Sequence, residues 1–197
     1  MTEQGELPQK FFLSGHSYGG YLTSLYSCRH PERVMALFLN SPIGAEPMPE
    51  DYSPLNQRMS SVDLEPPHSI ANYTGNYLWE NDMTPLSLLR VLPQFAFNHI
   101  VQKIVDDDLE SYPTEHKEAF YEWFAATVIA GSDNETGLTK AFKYGAYAYH
   151  PLTEPDRLGN PEIPFPIAYA FGDRDWLGTP GADQIVRGNQ FFDKGLS

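Results

Sequence analysis

The sequence has little positive charge and no long apolar run. Its 197 residues contain 13 Lys and Arg against 26 Asp and Glu, a formal net charge of −13. This composition argues against a nucleic-acid partner, because nothing resembles a basic stripe that could neutralise phosphates. No apolar stretch approaches the roughly 18 to 20 residues that a membrane span requires.

Sulfur and metal-ligand patterns are also scarce. The one cysteine, Cys28, cannot form an internal disulfide, so the sequence does not require an oxidising compartment. Histidine and cysteine are too sparse for a zinc site, and the acidic run at 106–108 lacks the glycine spacing of a calcium loop. Residues 1–6 are polar and acidic, unlike a signal or transit peptide. We expect a cytoplasmic protein without a metal or cofactor.

A Gly-His-Ser-Tyr-Gly pentapeptide at residues 15–19 stands between a predicted strand and a predicted helix. This G-x-S-x-G pattern is typical of a nucleophile elbow, a tight turn that presents a serine for attack. We expect Gly15 and Gly19 to be glycines because side chains there would collide with the strand or the helix. The pattern predicts Ser17 as the nucleophile and the Tyr18 amide as an oxyanion donor.

Three short apolar runs bounded by turn residues predict buried parallel strands over 11–14, 34–40 and 166–171. The first two, with the helix between them, form a βαβ unit, which requires a parallel sheet and a right-handed connection. Another helix is predicted over 182–192. The predicted fold class is α/β, with a parallel sheet of about three strands.

A long insertion with helical patterns separates the second and third strands. Thr84 followed by a proline predicts a helix start, 95–105 has an apolar face, and Thr114 is a predicted helix cap. We interpret this insertion as a helical cap (lid) above the carboxyl ends of the strands, because ligands of α/β folds with parallel sheets bind there. The predicted organisation is 1–42 for the elbow and first βαβ unit, 43–150 for the cap, and 151–197 for the return to the core.

The acid partner of the serine is predicted within the Gly-Asp-Arg-Asp-Trp run at 172–176. Asp175 is preferred, because an acid several residues past a strand end lies on the same rim as the elbow. Asp173, closer to the strand end, is the alternative. Either carboxylate could instead bind turn amides or pair with Arg174. In proteins with a nucleophile elbow of this kind, the order of the three residues along the chain is serine, acid, histidine.

No histidine follows Asp175, since all six precede it. His150 could reach the rim at the end of the cap, but its chain order is wrong. His16 is expected to point away from the serine, and His99 and His116 to be solvent-facing or structural. The second oxyanion donor, from a loop after an earlier strand, is missing as well, so we expect the site to be incomplete.

Several runs of residues resemble the α/β-hydrolase fold family, in particular abhydrolase domain-containing proteins four and five. They are Gly-His-Ser-Tyr-Gly-Gly-Tyr-Leu at 15–22, His-Pro-Glu-Arg-Val at 30–34, Asn-Ser-Pro-Ile-Gly at 40–44, Tyr-His-Pro-Leu at 149–152, and the 172–176 turn. The resemblance implies a partial α/β-hydrolase fold in which Ser17 is the nucleophile and Asp175 the acid. It also implies a serine hydrolase that cleaves glycerophospholipid or lysophospholipid esters through an acyl-enzyme.

The resemblance leaves two alternatives open. Some members are lysophosphatidic acid acyltransferases that use a His-x-x-x-x-Asp motif, which this chain does not contain. One branch has lost the serine and serves as a lipase coactivator, so a catalytically incomplete protein that binds a lipid or a partner is the other candidate. We expect a lipid or acyl-ester partner and peripheral contact with a membrane or lipid droplet through the cap. We also expect this chain to be a fragment that stops before the triad histidine.

Overall fold

The computed structural model describes residues 9–53, 68–131, 134–173, 175, 177 and 180–191. The strands in this part of the chain are β1 (Phe11–His16), β2 (Val34–Asn40) and β3 (Ile167–Ala170). The helices are α1 (Ser17–Arg29), α2 (His68–Glu80), α3 (Pro85–Arg90), α4 (Gln94–Asp108), α5 (Thr114–Ala130), α6 (Asn134–Ala141) and α7 (Pro180–Gly188). A short 3-10 turn, Pro31–Arg33, joins α1 to β2.

The three strands form one parallel sheet in the order β1–β2–β3. This confirms the α/β class and the parallel sheet of about three strands that the apolar runs predict. β1 extends two residues past its predicted end, because Gly15 and His16 pair with Leu39 and Asn40 of β2. The extension brings the sheet up to Ser17, so the strand leads directly into the helix.

Helix α1 lies against β1 and β2 through a row of small side chains. Gly20, Ser24 and Ser27 are buried on this face, and Ser24 Oγ donates a hydrogen bond of 2.7 Å to the Gly20 carbonyl. A Cβ atom on Gly20 would lie 2.7 Å from the Cβ of Pro42. The small residues therefore let the helix pack close to the sheet, which fixes where its amino terminus stands.

The two faces of the sheet differ in burial. Leu37 and Leu39 of β2 are fully buried on one face. On the other face Phe12 is 74% exposed and Phe38 is 47% exposed. These two residues share a face because Phe38 pairs with Ser14, two residues beyond Phe12 in β1. Within the described residues, that face keeps an uncovered apolar surface.

Helix α7 is held to the sheet region at both ends. The Gly181 amide donates a hydrogen bond of 2.7 Å to the Glu46 carboxylate, which places an anion at the helix amino terminus. At the other end the Asn189 side chain donates to the Phe165 carbonyl and accepts from the Phe191 amide. The helix ends at Gly188, because Asn189 turns the chain there. The sequence predicted an end at residue 192, which lies outside the described residues.

The chain divides into two compact units, a sheet unit of residues 1–73 and 141–197 and a helical unit of residues 74–140. The helical unit has a core of its own, formed by Leu89, Phe97, Val101, Val105 and Val128. Its helices α4 and α5 pack together, and the Arg90 guanidinium donates a hydrogen bond of 3.2 Å to the Val128 carbonyl. Residues 74–140 thus pack around buried side chains supplied by α3, α4 and α5.

Helices begin at both predicted places in this unit, but the cap predicted at Thr114 is wrong. Thr84 caps α3, since its side chain accepts a hydrogen bond of 3.1 Å from the Ser87 amide. Thr114 is the first residue of α5 and not its cap, which is Pro113. The Pro113 carbonyl accepts the first helical hydrogen bonds, from the His116 and Lys117 amides. Proline supplies no side-chain acceptor, so sequence rules for caps do not select it.

Candidate active site

The predicted elbow is the junction of β1 and α1. His16 is extended, with φ −116° and ψ 140°, and Ser17 begins the helix with φ 52°. A left-handed backbone at a residue with a side chain costs roughly 1–2 kcal/mol, and such strain is concentrated at functional sites. The strand, the strained serine and the helix together give the geometry by which an elbow presents a hydroxyl.

The glycines around the serine differ in how crowded their surroundings are. A Cβ on Gly15 would lie against Thr23 Oγ1 and 2.5 Å from the Gly19 carbonyl oxygen, so the expected collision is confirmed there. At Gly19 the expectation is wrong, because an added Cβ would meet nothing within 4 Å. Gly20, which the pentapeptide does not include, is the second crowded position, against Pro42.

The peptide between Ser17 and Tyr18 is held from its carbonyl side. The Ser17 carbonyl accepts a hydrogen bond of 3.3 Å from the Ile43 amide. Because a trans peptide is planar, its N–H points opposite to its C=O, so the Tyr18 amide points away from Ile43. The Tyr18 ring packs edge-on against Phe142, 5.8 Å between centroids, and this burial raises the pKa of its hydroxyl.

Asp175 lies five residues past the end of β3, in the turn that precedes α7. Its amide donates to the Gly172 carbonyl at 3.2 Å, and its Oδ1 accepts a hydrogen bond of 3.0 Å from the Leu177 amide. The side chain is half-buried, whereas Asp173 is exposed. Arg174 and Trp176 lie outside the described residues. One oxygen of the Asp175 carboxylate thus binds a turn amide, as the alternative interpretation of this residue had it.

Sheet register puts the elbow and the acid-bearing turn at one edge. His16, Asn40 and Ala170 are in register at the carboxyl ends of the three strands. β1 and β3 are two interstrand spacings apart, about 10 Å. The Ser41 amide donates to the Ala170 carbonyl at 2.8 Å, which links the segment after β2 to the end of β3. Ser17 and Asp175 therefore leave the same edge of the sheet, from its two outer strands.

The described histidines do not join this arrangement. His16, His99, His116 and His150 are exposed, and His30 packs on Tyr26 with 4.9 Å between ring centroids. The His150 imidazole is 3.9 Å from the Glu154 carboxylate. Among the described residues, no hydrogen bond or ion pair connects a histidine to Ser17 or Asp175. His68 is described only as the first backbone position of α2.

Two buried aromatic residues next to the elbow, Tyr21 and Phe142, have contacts that the sequence does not predict. Tyr21 is 3% exposed, and its hydroxyl donates a hydrogen bond of 3.0 Å to the His150 carbonyl. Phe142 is fully buried and packs edge-on against the Tyr21 ring at 4.7 Å. These contacts join positions as far as 129 residues apart, which no local pattern reveals.

Metal-ligand clusters and membrane-spanning helices are both absent from the described residues. No group of three or more His, Cys, Asp or Glu side chains is arranged to hold a metal ion there. None of the described helices is long and apolar enough to cross a membrane. The helical unit contains a cavity of about 110 Å³, lined by Arg90, Leu92, Gln94, Phe97 and Ile129. This volume is well below the roughly 300 Å³ at which pockets for small-molecule ligands begin.

The parallel sheet with its helices is a partial α/β fold, and the serine at its left-handed strand-to-helix turn matches the position of a nucleophile elbow. Comparison with curated proteins then gives the relatives. The chain is 24% identical over 187 residues to the abhydrolase domain-containing protein lid-1 of Caenorhabditis elegans, covering 94% of this chain and 48% of the relative. Relatives of the chain thus include abhydrolase domain-containing proteins, as the motifs in the sequence indicated.

Other relatives have enzymatic names. The chain is 27% identical over 183 residues to a probable 1-acylglycerol-3-phosphate O-acyltransferase of Oryza sativa subsp. japonica, covering 88% of this chain and 41% of that protein. It is 29% identical over 184 residues to the (lyso)-N-acylphosphatidylethanolamine lipase of Mus musculus, covering 88% and 47%. The chain thus spans less than half the length of these curated relatives. No family model matches the chain, and no solved structure matches it significantly.

Proposed function

We propose that this protein is a serine hydrolase of carboxylic esters in lipid metabolism, with Ser17 as its nucleophile. The observation that supports this most directly is the left-handed backbone of Ser17, φ 52°, at the first position of α1. Strain of this kind persists only where surrounding contacts hold it in place, and the nucleophile elbow is such a position. The names of the relatives support acyl-group chemistry on lipids.

In the proposed reaction the Ser17 oxygen attacks the ester carbonyl carbon, and its proton passes to a histidine. The bond to the leaving alcohol breaks, the alcohol takes that proton, and the acyl group stays on Ser17. Water then releases the acid. The negative charge on the carbonyl oxygen is stabilised by the Tyr18 amide and the amino terminus of α1.

Asp175 is proposed as the acid that orients the histidine. Support comes from the sheet, since Asp175 and Ser17 follow strands whose carboxyl ends share one edge. The hydrogen bond of 3.0 Å from the Leu177 amide to Oδ1 fixes the carboxylate in the turn. The histidine itself is not assigned to any described residue.

Fluorophosphonate labelling tests the nucleophile. The probe forms a covalent bond with an activated serine, so a form of the protein that includes any flanking coding sequence is expected to be labelled at Ser17. Ser17→Ala should abolish labelling, and Ser14→Ala, which changes an exposed serine on β1, should not. A form with flanking sequence whose Ser17 does not react would overturn the proposal.

For residues 1–197 alone we expect negligible esterase activity. The reason is that no hydrogen bond or ion pair joins a described histidine to Ser17 or Asp175, and loss of the base leaves only slow residual turnover. Hydrolysis of a p-nitrophenyl ester by the purified chain measures this. A rate that disappears in Ser17→Ala would contradict the expectation and would show that a histidine of this chain can act as base.

Acyl transfer to a lyso-lipid is the second candidate function, supported by the acyltransferase names of two plant relatives. In this case Ser17 attacks the thioester carbonyl of acyl-CoA and the CoA thiol leaves with the proton. The hydroxyl of lysophosphatidic acid then replaces water as the acyl acceptor. Incubation with acyl-CoA and lysophosphatidic acid separates the two functions. Formation of phosphatidic acid supports transfer, and release of free fatty acid supports hydrolysis.

Contact with a lipid surface is proposed through the helical unit. Val91, Phe95 and Ile129 of this unit are apolar and more than 60% exposed. Because the net charge is −13, we expect contact with lipid to be apolar rather than electrostatic. Phe95→Gln should weaken co-sedimentation with phosphatidylcholine vesicles while Phe12→Thr leaves it unchanged; equal effects would contradict a role for this unit.

A further inference from the structure

We propose that Phe142 is a positioning residue that holds the Tyr18 amide in place for oxyanion stabilisation. This inference rests on the proposed function, because it explains how one element of that site is kept in position. It concerns a residue 124 positions beyond Tyr18 that no motif in the sequence singles out.

The backbone around Phe142 is fixed by hydrogen bonds on both sides of the residue. It follows α6 directly, where Ala141 accepts a hydrogen bond of 3.0 Å from the Tyr149 amide and Phe142 forms a bridge with Ala148. The Lys143 amide donates to the Tyr147 carbonyl at 2.8 Å, which closes the same turn. The backbone on both sides of Phe142 is thus tied down, and its side chain is fully buried.

The Phe142 ring contacts residues of α1 and of the segment after β2. It packs edge-on against two aromatic residues of α1, Tyr18 at 5.8 Å and Tyr21 at 4.7 Å between centroids. It also closes over Gly44, where an added Cβ would lie 2.8 Å from Phe142 Cε1 and 2.7 Å from Tyr21 Cδ2. The Gly44 carbonyl in turn accepts a hydrogen bond of 2.8 Å from the Leu152 amide. Phe142 therefore lies between the first turn of α1 and the segment after β2.

The peptide between Ser17 and Tyr18 bears the proposed oxyanion donor. Its carbonyl, on Ser17, accepts from the Ile43 amide, and Ile43 is adjacent to Gly44. Its amide belongs to Tyr18, whose ring rests on Phe142. The same packed cluster thus holds both sides of one peptide plane, which fixes the direction of the Tyr18 N–H. A donor must be fixed in advance to stabilise charge in a transition state effectively.

The introduced thiol of Ser17→Cys tests this without needing a catalytic histidine. A thiolate at a helix amino terminus is stabilised by the same amide and dipole, so its pKa should fall from about 8.5 to below about 7.5. Iodoacetamide alkylation as a function of pH measures this pKa, with peptide mapping to assign the site. Burial raises the pKa of Cys28 to about 11, so that thiol reacts slowly and is counted separately.

The test compares the effects on the thiol pKa of replacing two buried phenylalanines of the sheet unit, Phe142 and Phe165. In the Ser17→Cys background, Phe142→Leu should raise the thiol pKa by about 0.5 to 1 unit, because the amide is no longer held in line. Phe165→Leu is the matched control, since Phe165 is also 0% exposed but precedes the amino end of β3, at the edge away from Ser17. It should leave the pKa unchanged. Tyr18→Ala removes the same contact from the other side and should shift the pKa as Phe142→Leu does.

The outcomes separate the inference from the proposed function. A lowered thiol pKa that neither Phe142→Leu nor Tyr18→Ala changes would overturn the role of Phe142 and leave the elbow intact. An equal shift with Phe165→Leu would also overturn it, because the effect would then be general loosening. A thiol pKa that is not lowered in the parent would show that the elbow does not stabilise an anion, so the proposed function fails together with the inference.

Discussion

At the scale of single residues, the proposed chemistry depends on how the backbone is held around Ser17. Its φ of 52° is unfavourable for a residue with a side chain, and the Ile43 amide fixes the next peptide. Crowding at Gly15 and Gly20 sets how near the strand, helix and Pro42 approach one another. The position of the hydroxyl is therefore a property of several backbones and not of the serine alone.

The strain at Ser17 predicts an unusual order of stability. At an ordinary helical position Ala is more stable than Gly by about 1 kcal/mol. At a left-handed position the order reverses, so Ser17→Gly should be more stable than Ser17→Ala by about 1 kcal/mol. Urea unfolding of the two variants measures the difference. A more stable Ser17→Ala would mean that the turn is not left-handed.

The glycines of the elbow provide a matched pair. Gly15→Ala should destabilise by about 1 to 3 kcal/mol, because the new methyl group meets Thr23 and the Gly19 carbonyl. Gly19→Ala should stabilise by about 0.5 to 1 kcal/mol, because it meets nothing within 4 Å and removes a glycine from a helix. The urea midpoints should therefore move in opposite directions. A loss of stability in both variants would show that the space at Gly19 is not free.

At the scale of elements, the helical unit has its own ties between helices. One of them joins the turn after α2 to α6: the Asp82 carboxylate accepts from Lys140 Nζ and from Thr139 Oγ1, each at 2.7 Å. The hydrogen bond from Lys140, followed by that from Thr139, lowers the pKa of Asp82. This contact is on the surface, so its effect on stability should be small and screened by salt.

The lowered pKa of Asp82 gives a pH dependence of defined sign. Its folded value lies below its unfolded value of about 3.9, so the carboxylate contributes stability above that pH. The contribution is lost as the pH falls through the folded value. The difference in unfolding free energy between the parent and Asp82→Asn should shrink as the pH is lowered from about 6 towards 3. Urea unfolding across a pH series measures it, and a difference that does not change with pH would contradict the assignment.

At the scale of the whole chain, a strongly acidic protein has an apolar sheet face that no described residue covers. Phe12 and Phe38 are exposed on the same face of two neighbouring strands, and β1 is an edge of the described sheet. Like charges keep molecules apart, whereas apolar faces and open edges favour association. We expect the apolar face to dominate at high salt, where the charge is screened.

Replacing both phenylalanines should reduce this association. The double variant Phe12→Thr, Phe38→Thr retains residues suited to strands while removing apolar surface. It should bind less of the dye ANS and form fewer large species by light scattering after size exclusion. Phe95→Gln, which changes a similarly exposed phenylalanine of α4, is the control and should have little effect on scattering. Equal effects of the two changes would contradict a role for the sheet face.

Much of the architecture was predictable from sequence, and the reason is local. Buried parallel strands are continuous apolar runs, so Val34–Asn40 is found with its observed bounds. Thr84 before a proline marks the start of α3 by a rule that spans only a few residues. The ends of β1, α5 and α7 were less predictable, because strand pairing, Pro113 and Asn189 set them through contacts outside the local pattern.

The candidate site likewise has features that local sequence predicts and features that depend on tertiary contacts. The sequence alone determined where a nucleophile elbow should be and which family the chain resembles, because both follow from residues that are neighbours in the chain. Only the tertiary structure decided the left-handed backbone of Ser17, the direction of the Tyr18 amide and the contact with Phe142. Those features arise from groups far apart in sequence that the sheet and its connections bring together, and their positions are not encoded in any local run of residues.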